Sequence, residues 1–240
     1  MKKVLATLGA LGIFTTAGIA FADVPSAQIG YTIETENYNP GNVDATFSYQ
    51  YIKLKNPDLF PALNQIRTKQ FDSIDNQAIG SLEELGKTAR EISADSGKKY
   101  IGHFEAELLM GRADNIVFSY EETIAKHYGQ GHAEINVMPY NFNSSNGNRI
   151  EHFHLFKDQD ARLAFAELLG KKFAAKFDQP TIKNIPAKDY LDKLLWYNLF
   201  CLTKNGIKVS VSGLTSAPME VEVPYAEADE YINLAYNPLK

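Results

Sequence analysis

The chain has 240 residues, 45% hydrophobic and 22% charged, with 24 Lys and Arg against 29 Asp and Glu, a balance that belongs to soluble globular proteins rather than disordered tails. A net charge of −5 argues against nucleic acid as a partner, because binding phosphates needs a clustered basic surface. The single cysteine excludes an internal disulfide framework, zinc ribbons, CxxC redox motifs and iron–sulfur clusters, and no cofactor is expected.

Residues 1–22 read as an export signal. Lys2 and Lys3 precede the uncharged stretch Val4 to Ile19, and Ala20-Phe21-Ala22 offers a small-x-small cleavage site before Asp23. The expected location is therefore the periplasm or the outside of the cell. Removing two lysines and no acid makes the mature chain more negative still. The rival reading is a retained anchor, since the uncharged run approaches the roughly 20 residues that cross a bilayer. No second run of that length follows, so no membrane span is expected after cleavage.

Residues 23–98 are expected to form a hairpin-plus-helix module. Gln28 to Leu54 alternates apolar and polar residues around Asn39-Pro40-Gly41-Asn42, which predicts a β-hairpin. Asn56-Pro57 then supplies a helix start, with Leu59, Phe60, Leu63, Ile66 and Phe71 at helical spacing. A second helix is expected from Ser81 to Ile92, followed by a loop from Ser93 to Lys99.

Residues 99–240 are expected to form an α+β module, compact with the first. Tyr100 to Met110, Asn115 to Lys126 and His132 to Asn141 read as strands, separated by turns at Gly111-Arg112-Ala113-Asp114 and Gly129-Gln130-Gly131. After the polar turn Asn143 to Asn148, the run Arg149 to Leu155 is expected to be a strand. A helix starts at Asp158, with Ala161, Phe165, Leu169, Phe173 and Phe177 every four residues. Pro180 ends that region. A short helix (Ala187 to Leu195), a hairpin around Lys204-Asn205-Gly206 built from Trp196 to Leu202 and Ile207 to Val211, a strand (Met219 to Val223) and a short helix from Tyr225 close the chain. The fold class is α+β, a mostly antiparallel sheet packed against a few helices.

Three groups of motifs in this chain resemble those of a known family. Gly129-Gln130-Gly131-His132-Ala133-Glu134, then Tyr140-Asn141-Phe142, Gly147 and Leu155-Phe156-Lys157-Asp158, resembles the Gly-rich turn, strand and helix entry of a family of bacterial extracytoplasmic domains of unknown function. Phe200, Leu202-Thr203, Gly206-Ile207, Ala217-Pro218, Glu220 and Val223-Pro224-Tyr225 resembles its closing hairpin, and the section ending in Leu63-Asn64-Gln65-Ile66 resembles the module that precedes it. This pair of domains occurs outside the cell in RsiV-type anti-sigma factors, which sense lysozyme, and beside the catalytic domain of PdaC-type peptidoglycan deacetylases. Three departures stand out: Gln130 displaces a glycine of the turn, Asn143 stands where the family often has Asp, and Ser212 to Ser216 lacks its tyrosines. The resemblance implies an envelope protein that binds an extracellular protein, such as a lysozyme-like hydrolase, or a peptidoglycan fragment. A binding edge is expected at the polar turns Gly129 to Ala133 and Asn143 to Asn148, with Gly129, Gly131, His132, Tyr140, Asn141 and Phe142 as its candidate residues. The alternatives are a peptidoglycan-acting hydrolase or metal-dependent enzyme, and an accessory structural envelope domain.

No catalytic set emerges from the residues. His152 and His154, two apart on an expected strand, face one side, and with His132 they are the candidates for a zinc site, although a hydrogen-bonded turn role suits His132 better. Cys201 lies in an apolar strand and reads as a buried, inert thiol. Ser96 and Lys99 have S-x-x-K spacing without the partner motifs of that hydrolase class. Gly129-x-Gly131 lacks the third glycine of a dinucleotide loop. Glu83, Glu84, Glu121 and Glu122 read as solvated acidic faces. Most of Tyr31, Tyr38, Tyr49, Tyr51, Tyr100, Tyr120, Tyr128 and Tyr140 read as core or strand-pair residues.

Overall fold

The computed structural model describes residues 28–39, 41, 43–129, 131, 133–177, 186–212 and 218–240. The leader at 1–22, and Gln130, His132 and Pro180, lie outside the described residues. The opening alternation does fold as a hairpin: β1 (Tyr31–Tyr38) runs antiparallel to β2 (Ala45–Leu54), with Tyr31 opposite Leu54 and Tyr38 opposite Phe47. Period-2 alternation puts Ala45, Phe47 and Tyr49 on one buried face.

The two helices expected in the first module are one. Asn56-Pro57 opens only a short 3-10 turn, Pro57–Leu59, and α1 then runs unbroken for 36 residues from Pro61 to Ser96. The polar stretch between the expected helices contains no proline, and Ile74 and Ala78 continue the buried stripe of Leu63, Leu82, Leu85 and Ala89 across it. Gly80 faces open space, where its cost of about 1 kcal/mol is too small to break a helix held along its length by a sheet. Gly97 ends α1 in the left-handed region, φ 66°, and donates to the Ser93 carbonyl.

Because α1 is a crossover, the next strand enters parallel to β2. It is β3 (Gly102–Ala113), followed by the antiparallel meander β4 (Val117–His127) and β5 (Glu134–Asn143), giving one sheet in the order β1-β2-β3-β4-β5. The turn expected at Gly111 to Asp114 is mostly strand. β3 continues through Ala113 with an irregularity after Met110, and Asp114 alone makes the turn by accepting from the Ile116 and Val117 amides. Gly111 is needed for closeness: a Cβ there would lie 2.5 Å from the Leu202 carbonyl oxygen, where a second sheet crosses the first.

That second sheet is antiparallel, β6 (Cys201–Leu202), β7 (Gly206–Val211) and β8 (Met219–Pro224). It shares a core with α3 (Gln159–Phe177), α4 (Lys188–Trp196) and the short α2 (His152–Leu155) and α5 (Tyr225–Ala228). Trp196, expected at a strand start, is the last residue of α4. The fold is α+β, and among the described residues every strand pair except β2 with β3 is antiparallel. Asn141 ties the sheets together, its amide donating to the Phe200 carbonyl at 2.6 Å and accepting from the Leu202 amide at 2.8 Å.

Candidate functional site

Arg149 to Leu155 is not a strand. Glu151 and His154 form a reciprocal capping box in which the Glu151 amide donates to His154 Nδ1 at 3.2 Å while the Glu151 carboxylate accepts from the His154 amide. This box starts α2, and a one-turn helix points residues two apart in different directions. His152 and His154 therefore diverge, and among the described residues no three His, Cys, Asp or Glu side chains gather into a metal cluster.

His152 turns instead toward the end of α4. Its amide donates to Asn198 Oδ1 at 2.6 Å, its Nδ1 lies 3.3 Å from the same oxygen, and its ring stacks on Trp196 with centroids 4.6 Å apart. Asn198 has φ 60°, and among the described residues it is the one non-glycine at positive φ. Asparagine tolerates that region better than other side chains, and here the conformation delivers its carbonyl to His152.

Behind Trp196 stands Arg162 of α3. It is buried, donates from Nε to Asp192 Oδ1 at 2.8 Å, and places its guanidinium 4.7 Å from the indole centre. Lys157 is fixed by the Asp229 and Glu230 carbonyls at 3.0 and 2.8 Å, and Asp158 caps α3 by accepting from the Ala161 amide at 2.7 Å. His152, Lys157, Asp158, Arg162 and Trp196, with Phe153, Phe156 and Gln159, line a cleft of about 330 Å³. That volume is at the lower end of small-ligand sites. Phe153 is 60% exposed and Trp196 52% exposed at its rim, and Tyr197 is exposed beside them.

The other residues singled out in the sequence lie away from this cleft. Gly129 adopts φ 100° against Tyr100, Gly131 adopts φ 81° at the surface, and His132 is outside the described residues. Tyr140 is half-buried, stacks on Tyr120 at 5.1 Å and donates to Glu122 Oε2 at 3.3 Å. Burial and the Glu122 carboxylate push its phenol up to about 12, so it remains a donor. Asn141 and Phe142 are buried. Cys201 is buried as expected, and desolvation raises its thiol far above the ordinary value. Glu83 and Glu84 are exposed.

Glu121 and Glu122 correct the expectation of a solvated face. They are 3% and 2% exposed, on opposite faces of β4. Glu121 meets Lys208 of β7 and accepts from Ser210 Oγ at 3.2 Å. Burial raises its carboxyl, and Lys208 opposes that rise. Glu122 has no cation beside it among the described residues. Burial raises it as well, Tyr140 partly offsets the shift, and Gln70 of α1 approaches while Gln70 Nε2 and Glu122 Oε1 complete no hydrogen bond. Two adjacent buried carboxylates on opposite faces do not form a pair across a cleft.

No protein-family profile and no curated protein sequence matches the chain. Solved structures share its fold. A DUF3298 family member from Bacteroides fragilis superposes with TM-score 0.59 at 12% identity, over 88% of this chain and 95% of that one. A DUF3298 family protein from Pseudomonas aeruginosa superposes with TM-score 0.55 at 13% identity, over 89% and 98%. At such identities the likeness is one of fold.

Proposed function

We propose that this chain is an exported, non-enzymatic binding protein of the cell envelope that takes its ligand at the Phe153–Trp196 cleft. The observation carrying this reading is the rim itself: two large aromatic rings left in water above polar groups that are already held in place. His152 is set by Asn198, Arg162 by Asp192 and Lys157 by two carbonyls, so little ordering remains to oppose binding. Exposed Trp beside a desolvated Arg is also the composition of an interaction hot spot.

The ligand is a lysozyme-like hydrolase or a peptidoglycan fragment. The motif resemblance supports the first, and a net charge of −5 favours a cationic partner by steering its approach. Calorimetry with lysozyme and with soluble muropeptides, at low and moderate salt, tests both. One of them should bind saturably, and Trp196→Ala or Phe153→Ala should weaken it by tenfold or more. Absence of heat with both ligands, or full affinity in both variants, would sink the reading.

A further inference from the structure

The face of the five-stranded sheet turned away from α1 carries a second pair of histidines. His103 of β3 and His127 of β4 are directly opposed in the antiparallel ladder, where side chains leave the backbone about 5 Å apart. Their ring centroids are 6.3 Å apart and their planes are inclined by 36°. Thr46, the register neighbour of His103 on β2, places its hydroxyl 2.8 Å from His103 Nδ1. The two nitrogens of an imidazole point in nearly opposite directions. Holding Nδ1 toward β2 therefore turns Nε2 toward β4, where His127 stands exposed.

We propose that His103 and His127 form a two-imidazole site for a divalent transition-metal ion such as Cu²⁺, Ni²⁺ or Zn²⁺. An ion about 2.0–2.1 Å from each nitrogen, with each nitrogen roughly 1.1 Å from its ring centre, separates the centroids by about 5.2 Å in a tetrahedral arrangement and by about 6.4 Å in a linear one. The observed 6.3 Å lies at the wide, nearly linear end of that window, so a tetrahedral site draws the two rings together by about 1 Å through rotation of the exposed His127. Imidazole suits these ions. Thr46 is the outer partner: its hydroxyl can donate to or accept from Nδ1, and when the metal takes the Nε2 lone pair it accepts from Nδ1–H and holds the ring in place. Glu105, two residues along β3 on the same face, adds negative charge without joining the pair as a third ligand. The remaining coordination positions open to water, which makes the site weaker than a four-ligand structural zinc centre.

The test is titration of the full protein, prepared without a polyhistidine tag, with Cu²⁺, Ni²⁺ and Zn²⁺ separately. One equivalent should bind, and Cu²⁺ should show electron paramagnetic coupling to two imidazole nitrogens. His103→Ala and His127→Ala should each lower affinity at least tenfold. Thr46→Val should lower it about tenfold while the two-nitrogen signal survives. His152→Ala and His154→Ala should leave it unchanged. His127 is exposed, so its variant keeps the fold and its result is decisive. Undiminished binding in either the His103 or the His127 variant, a loss confined to the His152 or His154 variants, or no binding at all, overturns the proposal.

Discussion

Under α1, Tyr49, Phe104 and Tyr120 are almost completely buried, with Tyr120 stacked on Tyr140 at 5.1 Å, whereas at the end of α4 Phe153 and Trp196 stand 60% and 52% exposed. Both assemblies are aromatic, yet only the first uses its rings to hold the fold. Burying a large apolar side chain stabilises a protein by about 1.5–3 kcal/mol, and the rim of the cleft forgoes much of that. What the rim keeps is orientation, through His152 against Trp196 at 4.6 Å and Arg162 at 4.7 Å. The difference separates rings that hold the fold from rings left at the surface, where the proposed ligand would meet them.

Substitutions divide along the same line. Tyr120→Ala should lower unfolding free energy by about 3–5 kcal/mol in urea titration and leave any ligand affinity of the still-folded fraction intact. An effect below about 1 kcal/mol would mean that the ladder does not hold the sheet. Between the two sheets, Lys208→Met should cost roughly 3 kcal/mol by stranding buried Glu121. Adding Glu121→Met should recover most of that loss, and a double variant no better than the single one would contradict the stated cause.

Glu122 supplies a pH signature confined to the buried side. Burial raises its carboxyl above the ordinary 4.5, so the folded chain holds this proton more tightly than the unfolded chain does. The associated stability is full below 4.5 and is lost as pH rises through the folded value. Glu122→Gln should therefore be more stable than the wild type at neutral pH, the two converging in acid. Parallel melting-temperature curves between acid and neutral pH would rule this out. Smallest of all in stability is Phe153→Ala, expected within about 1 kcal/mol of wild type because so little of the ring is buried. A larger loss in thermal or urea unfolding would place Phe153 with the core.

The elements that pack by simple periodicity were legible from the sequence. Alternation marked β2, and the four-residue recurrence of Phe165, Leu169 and Phe173 marked α3. Pattern failed where tertiary contact overrides it. The polar middle of α1 looks like a break until the sheet beneath it is known, and Glu121 looks solvated until Lys208 of a distant strand arrives. His152-Phe153-His154 mimics strand alternation, and Glu151 with His154 three residues on lacks the Ser/Thr…Glu/Gln signature of a capping box, so the start of α2 left no recognisable mark in the sequence. The cleft itself was hidden because it joins α2, the start of α3 and the end of α4, and because the positive φ of Asn198 leaves no mark in one sequence. His103 and His127 escaped notice for the same reason, since only the β3–β4 register sets them opposite.

Trp196 is the single tryptophan of the chain, so its fluorescence reports on the cleft alone. Titrating the protein with muropeptides, which carry no tryptophan, or with lysozyme after subtracting lysozyme's own tryptophan emission, should give a saturable change in Trp196 emission whose midpoint matches the calorimetric one and which moves tenfold or more in Phe153→Ala. Calorimetric binding that leaves Trp196 emission unchanged, with the same midpoint in Phe153→Ala, would place the ligand elsewhere and contradict the cleft as the recognition surface.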